Sequence, residues 1–366
     1  SIQVRAISEI EQVKSCKTFS GTILISSLPI SDLVIPGIQT FEGTIDINSN
    51  ENIRRISFPN LVSATRIGIS NQSILTTLEF PSLQKVDTLT IKKLPSLTDL
   101  SFSTRLNETN NLEITETGAR GVFSLNTKKM TSLRIENNQQ LEILQVPNMR
   151  NIDTIYLTGN GKLDFTAPYL ENVNDLTVKN VRSLNLPALS TISNNLVISE
   201  NKFPSFTLQN LHSVTGTLTI DSNWYLKSAN FPVLQTVGPS LVISNNPSLE
   251  KINGFPKLEQ IGGSVDVTGS FLDFQVPKLN EIQGGINVQT KSNRFNCEGI
   301  DKLNNEGIVK GDTVICLSGI RNPKSVVAQP KSGVPENIEK GKIIEGENKG
   351  TTNTSSAVTK TLLDSD

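Results

Sequence analysis

Residues that usually carry chemistry are scarce in this chain of 366 residues. It holds one histidine, His212, and three cysteines, and it lacks the glycine-rich motif that cradles phosphate. A zinc site needs four ligands, and nucleophilic catalysis needs a base beside the nucleophile. His212 occupies a polar position between the apolar Leu211 and Val214. We therefore expect no catalytic, cofactor-binding or metal-binding residue.

Aromatic residues are also few, at 5% of the sequence, with one tryptophan and three tyrosines. Aromatic rings offer a flat apolar surface with a polar edge, as a sugar-binding platform requires. The candidate carbohydrate contacts are Tyr156, on a strand, and Trp224 and Tyr225, at a turn. The alternative is that these rings are ordinary packed or solvated aromatics.

The chain has little net charge and no long apolar run. Its formal net charge is -1, so no electrostatic attraction to nucleic acid or to an anionic membrane is expected. Apolar runs stay shorter than the roughly 18 residues that a membrane span requires. The chain starts at Ser1 without a charged and then apolar leader, so we expect any secretory signal to have been removed.

What the chain does contain is a unit of about 22 residues that recurs some thirteen times. Each copy has a strand with apolar residues at alternate positions, a turn that often holds asparagine, and a second apolar stretch that often ends in F-P-x-L. A period in this range indicates a solenoid, in which each coil buries its apolar face against its neighbours. The first apolar positions of the strands are Ile23, Ile45, Ile67, Leu89, Leu112, Leu133, Ile155, Leu176, Leu196, Leu218, Leu241, Val265 and Ile286.

Residues 216–238 illustrate one coil. Leu218 points inward and Thr219 outward to solvent, as in a half-buried strand with a period of two. Asn223 is expected to turn the chain, because asparagine tolerates left-handed backbone. Pro232 belongs at a corner, since it cannot donate to a strand ladder.

Stacked coils of this kind predict an all-β fold. The valine, isoleucine and threonine content and the corner prolines favour a right-handed parallel β-helix, a leucine-rich-repeat-like solenoid of about thirteen coils, over a horseshoe with helices. Turn asparagines then lie above one another, and their side chains would satisfy turn backbone groups between coils. These residues are Asn138, Asn160, Asn201, Asn223 and Asn246.

Acidic residues are scattered singly along the predicted outer face of the main strands. Glu113 and Glu136, about one coil apart with Arg134 beside them, form the nearest approach to a carboxylate pair. A polysaccharide hydrolase needs two carboxyl groups across one bond. A solvated ion pair explains these residues more simply.

Cysteines and sequons indicate an oxidising, secreted history. Cys297 and Cys316 follow the last coil and fit a disulfide-closed cap. For Cys16, just before the first coil, the alternatives are a partner upstream of Ser1 or a reduced, buried thiol. The sequons predict glycosylation at Asn71, Asn107 and Asn353.

Four segments are expected along the chain. An N-terminal cap takes residues 1–19, the coils take 20–290, and the disulfide-closed cap takes 291–320. Residues 321–366 are rich in charged and small polar residues, which bury too little apolar surface to offset their ordering entropy. They are expected to form a disordered stalk.

Two stretches near the C-terminal end resemble a known family. The segment GGINVQTKSNRFNCEGIDKLNNEGIVKGDTVIC, residues 284–316, is similar to the closing cap of the fungal GPI-anchored cell-wall organisation and sporulation-specific wall proteins, which are receptor L-domain-like. Residues 239–271 resemble the last full repeats of that family, and residues 15–23 resemble its start. The likeness covers about residues 5–320. The tail is shorter and more charged than is typical, and the first cysteine of the family's N-terminal pair is missing.

The resemblance implies a secreted glycoprotein, held by a GPI anchor at the outer face of the plasma membrane or in the wall. It implies a role in wall integrity or spore-wall assembly, with wall polysaccharide or wall proteins as partners and membrane contact only through the lipid. No catalytic residue is implied. The alternatives are a ligand-binding receptor-like ectodomain and, less favoured, a polysaccharide-active β-helix enzyme.

Overall fold

The computed structural model of the chain describes residues 2–4, 7–98 and 100–325, whose regular secondary structure is almost entirely β-strand. It has two helices, α1 (Ile7–Lys14) and α2 (Glu298–Asn305), within these residues. The strands are β1 (Ile2–Val4), β2 (Thr18–Ile25), β3 (Asp32–Val34), β4 (Thr40–Asn48), β5 (Arg55–Ser57), β6 (Ser63–Ser70), β7 (Thr77–Glu79), β8 (Lys85–Leu94), β9 (Leu100–Leu106), β10 (Asn111–Thr117), β11 (Gly121–Leu125), β12 (Lys129–Glu136), β13 (Ile143–Gln145), β14 (Asn151–Thr166), β15 (Asn172–Asn185), β16 (Thr191–Ile192), β17 (Leu196–Ser199), β18 (Ser205–Thr207), β19 (Ser213–Val214), β20 (Leu218–Asp221), β21 (Ser228–Asn230), β22 (Thr236–Val237), β23 (Ser240–Ser244), β24 (Lys251–Ile252), β25 (Gln260–Ile261), β26 (Ser264–Gly269), β27 (Asp273–Phe274), β28 (Glu281–Ile282), β29 (Ile286–Thr290) and β30 (Val314–Leu317).

The main strands stack in parallel, and their register confirms the predicted inward column. Twelve successive pairings join the thirteen positions from Ile23 to Ile286, each directly opposite the next. All thirteen are buried. The backbone pairing also continues from Ile23 to Ile2, before the first predicted coil, and from Ile286 to Val314, after the last. The fold is therefore a parallel β-solenoid of about twelve turns.

Both ends of the sheet extend beyond the predicted coils. At the N-terminal end, β1 pairs with β2, and α1 follows β1 along the chain. At the C-terminal end, α2 begins directly after Cys297 and β30 pairs with β29. A disulfide joins Cys297 to Cys316 with their Cα atoms 5.9 Å apart. Cys16, outside this disulfide, is partly buried.

Each coil has two further sides around the core. One carries the short strands that follow the turn, such as β3, β5 and β7, and the other carries short strands that precede the main strand, such as β16 and β19. Corner phenylalanines stack between coils, with ring centroids of Phe58 and Phe80 5.6 Å apart and those of Phe231 and Phe255 5.0 Å apart. The proline after each of these phenylalanines lies in a turn, as expected for a residue without an N–H.

The turn after each main strand differs in detail from the prediction. The left-handed residue is the one before the asparagine: Ser222 has φ of 56°, and Asn223 follows it with its side chain buried. The same left-handed conformation recurs at residue types that rarely adopt it, including Lys93 at φ of 55° and Glu200 at φ of 54°. The left-handed region is unfavourable for residues with a Cβ. The turn thus keeps one backbone shape in the successive coils from Ser27 to Asn245, although its side chains vary.

Buried asparagines form the predicted ladder, and they do so inside the solenoid. Asn223 Oδ1 accepts from the backbone N–H of Asn201 at 3.0 Å, and its Nδ2 donates to the carbonyl of Ile198 at 2.9 Å. Asn138 and Asn160 are joined in the same way at 2.9 Å. The ladder also has a member that sequence reasoning missed, since the buried Asn50 accepts from the N–H of Leu28. It is interrupted where Val181 pairs opposite Asn160.

Candidate functional site

The outer face of the main sheet carries an ion-pair network across neighbouring coils. Glu113 accepts from Lys92 Nζ at 2.8 Å and lies 3.5 Å from Arg134 Nε. Arg134 also bonds Glu136 at 2.5 Å, and its guanidinium lies 4.3 Å from the ring centroid of Tyr156. The two carboxylates therefore share one cation. In a hydrolytic pair, one carboxyl group is instead protonated and acts as the general acid, while the other is ionised and acts as the base or nucleophile.

Two other carboxylates, those of Glu79 and Asp164, are also bound by arginines. The Arg55 guanidinium bonds Glu79 and holds the pKa of that carboxyl below its ordinary value. Arg182 does the same to Asp164, with a smaller contribution from Ser183. A general acid at neutral pH requires the opposite shift, a raised pKa. These carboxylates suit ion pairing between coils.

Other catalytic elements are not assembled around these acids. His212 is exposed. Its backbone forms hydrogen bonds to the neighbouring coils: the N–H donates to the carbonyl of Ser190, and the carbonyl accepts from the N–H of Gln235, at 2.9 Å each. Within residues 2–4, 7–98 and 100–325, no three His, Cys, Asp or Glu side chains are grouped to hold a metal ion.

The three aromatic residues predicted to contact carbohydrate lie in two separate places. Tyr156 is half-buried on the outer sheet face beneath Arg134. Register carries its position through Thr177 and Val197 to Thr219, three coils away, and Trp224 lies in the turn after that strand. Three coils correspond to about 14 Å along the axis. The structure therefore does not form one platform from Tyr156, Trp224 and Tyr225.

Trp224 and Tyr225 are the most exposed large apolar side chains among the described residues, at 65% and 64%. Trp224 borders a groove of about 340 Å³ that crosses the turns of successive coils. Its polar lining includes Asn245, Thr268, Ser270 and Asn322. A further exposed aromatic, Tyr169 at 55%, was missed by sequence reasoning because it stands alone at a corner.

The C-terminal part of the outer sheet face is covered, which the sequence did not predict. Thr219, expected to face solvent, is only 2% exposed, and the outward Asp266 and Asn287 are buried as well. Near the sheet end, the backbone of Lys324 accepts from Asn287 at 3.0 Å and donates to Gln289 at 3.0 Å.

Ser325 completes this contact by donating to Asp266. The first residues of the predicted stalk, 321–325, thus lie against the sheet, and the rest of that segment lies outside the described residues. The period-two pattern of a strand predicts which side chains point outward. It does not predict whether a segment distant in sequence covers those side chains.

Two of the three predicted glycosylation sites are described, and both are exposed. Asn71 lies at left-handed φ of 52° with its amide donating to Asn48 at 2.9 Å. Asn107 accepts from Asn126 at 2.8 Å and lines a cleft of about 620 Å³ with Lys85 and Glu108. Asn353 lies outside the described residues.

Fold and surface together define a class of repeat protein, a parallel β-solenoid with a disulfide-closed end and an outer sheet of paired charges and hydroxyls. The chain belongs to the family of the fungal Ecm33 and sporulation-specific wall proteins. It is 30% identical over 88% of its length to protein ecm33 of Aspergillus fumigatus, and it covers 81% of that protein. It is 31% identical over 91% of its length to a cell surface GPI-anchored protein of Arthroderma benhamiae, covering 85% of it.

A third relative is longer than the region of similarity. Sporulation-specific protein 2 of Saccharomyces cerevisiae is 30% identical over 86% of this chain, which spans 63% of that relative. No protein-family model matches the chain, and no solved structure matches it. Among the described helices, none is long and apolar enough to cross a membrane.

Proposed function

We propose that this chain is a non-enzymatic, secreted glycoprotein that organises the fungal cell wall or spore wall from a GPI anchor at the cell surface. The observation that carries this proposal is the similarity to relatives named for the wall, for sporulation and for GPI anchoring, over more than four-fifths of the chain. Its partners are then wall polysaccharide or wall proteins. Contact with the membrane is through the lipid alone, and nucleic acid is not a partner.

The arrangement of the outer face supports a role without catalysis. Glu113 and Glu136 are both bound by Arg134, so each carboxylate is already engaged in an ion pair. The pKa of Glu79 and that of Asp164 are held low by arginines. Such a surface displays hydroxyls and paired charges on a continuous parallel sheet, which suits binding and spacing of other wall components.

Glycosylation and the segment boundaries belong to the same proposal. Asn71 and Asn107 are exposed, so a glycan at either site would extend into solvent. Asn353 is the third proposed site. The coils would hold the binding surface, the caps would close the two ends, and residues beyond 325 would link the solenoid to the anchor.

Gene replacement in the source fungus tests this function. We expect deletion to increase sensitivity to wall-binding dyes in growing cells or to weaken the spore wall. Wild type and the double variant Glu113→Gln/Glu136→Gln should both restore resistance, because no carboxylate chemistry is involved. Treatment of intact cells with phosphatidylinositol-specific phospholipase C should release the protein. Normal walls in both growing and sporulating deletion strains would overturn the proposal.

A further inference from the structure

We propose that the groove beside Trp224 binds a neutral polysaccharide chain, with the indole as its stacking surface. The inference rests on the proposed wall function for the source of the polymer, while recognition stands on the groove itself. The groove is bordered by turns of four successive coils, represented by Trp224, Asn245, Thr268 and Lys291.

The aromatic pair is exposed where the rest of the repeat buries its rings. The next corner of the coil buries phenylalanines such as Phe231 and Phe255. Trp224 and Tyr225 instead leave about two-thirds of their surface in water, at 65% and 64%. Exposed aromatic rings with a polar edge are typical of recognition surfaces, because the ring supplies a large contact area with few rotatable bonds.

The backbone that carries Trp224 is fixed on both sides. Before it, Asn223 is bound inside the ladder, with its N–H donating to Asn246 Oδ1 at 2.9 Å. After it, Leu226 is fully buried. The carbonyl of Trp224 itself accepts from Ser248 Oγ of the next coil at 2.7 Å. A rigid platform loses little conformational entropy when a ligand stacks on it.

The polar lining of the groove selects the chemistry of the ligand. It consists of amides and hydroxyls, including Asn245, Thr268, Ser270 and Asn322, and Lys291 is the one charged residue among the described residues that line it. Neutral donors and acceptors match a ligand rich in hydroxyl groups. A multiply charged ligand would require several opposite charges. The C–H face of a hexose ring fits the indole, whose face is electron-rich, while its hydroxyl groups reach the amides.

The direction of the groove favours a chain over a compact ligand. Its lining comes from equivalent turns of four coils, so it runs along the solenoid axis for about 14 Å. Its volume of about 340 Å³ lies at the lower end of the range of about 300–1,000 Å³ for small-ligand sites. A short stretch of an extended polymer fits these dimensions.

Intrinsic fluorescence tests the proposal directly, because Trp224 is the only tryptophan in the chain. The purified full chain is titrated separately with soluble β-1,3-linked glucose, β-1,4-linked N-acetylglucosamine and mannose oligosaccharides. We expect a saturable change in emission with at least one series, and the responding series identifies the polymer. No saturable change with any of the three would overturn the proposal.

Calorimetry on variants separates stacking from unspecific adhesion. Trp224→Ala should weaken binding at least about tenfold, corresponding to about 1.4 kcal/mol. Trp224→Phe should retain most of the affinity, because it keeps an aromatic face. Tyr169→Ala is the matched control: it removes an aromatic of similar exposure, 55%, outside the groove, and should bind like wild type. Unchanged affinity in Trp224→Ala, with an unchanged unfolding midpoint, would overturn the proposal.

The outcome is separable from that of the proposed wall function. If the Trp224→Ala gene restores the wall and the purified chain binds no oligosaccharide, the groove inference is wrong while the wall function stands. If deletion leaves every wall normal, the wall function is wrong, whatever the purified chain binds.

Discussion

Asn201 and Asn223 link two neighbouring coils through the interior of the solenoid. The backbone N–H of Asn201 donates to Oδ1 of Asn223 at 3.0 Å, and both side chains are buried. The same side chain of Asn223 also donates to the carbonyls of Ile198 and Asp221, at 2.9 and 3.0 Å. One amide thus satisfies polar backbone groups of two coils on the inner side of the turn.

Removing that amide should be costly. Asn223→Ala leaves the N–H of Asn201 and the carbonyl of Ile198 without partners in the core, and each such group costs about 1–3 kcal/mol. We expect a loss of about 3 kcal/mol or more in the free energy of unfolding, measured by denaturant titration. The control is Asn172→Ala, which removes an exposed bond of 2.8 Å to Asn151 and should cost less than about 1 kcal/mol. Similar losses in both variants would contradict an interior role for the ladder.

The left-handed turn residues predict a stabilising substitution. Lys93 is exposed and adopts φ of 55°, a conformation that costs residues with a Cβ about 1–2 kcal/mol. Lys93→Gly should therefore raise the unfolding midpoint, although glycine's greater freedom in the unfolded chain offsets about 0.5–1 kcal/mol of the gain. Lys92→Gly, at the preceding position of the same strand, should lower it. The reverse order of the two midpoints would contradict the assigned turn geometry.

Equivalent threonines on the buried and exposed parts of the outer sheet face should respond differently to substitution. The hydroxyl of Thr219 is buried without a hydrogen-bond partner, between Val197 and Val242 in register. Thr219→Val should stabilise the protein by about 1 kcal/mol, because it removes an unsatisfied polar group at nearly constant volume. Thr177→Val, at the half-exposed equivalent position two coils earlier, should change little. Calorimetric unfolding of both variants checks this, and equal shifts would show that Thr219 is solvated.

The disulfide between Cys297 and Cys316 should stabilise the C-terminal end. It closes a segment with a sequence separation of 19 that contains α2. Replacing both cysteines by serine should cost roughly 3 kcal/mol, since the unfolded chain gains freedom. Reductant should shift the unfolding midpoint of wild type by a similar amount and leave the double variant unchanged. A wild type that does not respond to reductant, with both thiols alkylated in the folded protein, would contradict the bond.

The parts of the fold that the sequence predicts well are those that repeat. The inward column from Ile23 to Ile286 was identified because each position recurs at a nearly constant step. The ladder was also predicted, since turn asparagines recur at the same step, although their burial was not. Leucine or valine replaces asparagine at some rungs, as at Val181, and there periodicity alone would have predicted an amide.

The parts that it misses are those without a period. β1, α1 and β30 each occur once, and so no internal comparison marks them. The contacts of Lys324 with Asn287 and of Ser325 with Asp266 depend on a segment that is far away in sequence. The separation of Tyr156 from Trp224 follows from the three-dimensional path of a coil, which composition does not contain. The sequence therefore identifies individual candidate residues of the site, but it does not predict which of them lie together.

The most direct measurement of the central claim, a wall protein that works by binding and spacing without catalysis, is polysaccharide turnover by the purified full chain. Glucan, chitin and mannan are incubated with wild type and with Glu113→Gln/Glu136→Gln, and newly formed reducing ends and chain lengths are measured. The structure predicts no product above buffer for either protein, because Arg134 binds both carboxylates. Turnover by wild type that disappears in the double variant, with the fold unchanged, would contradict it.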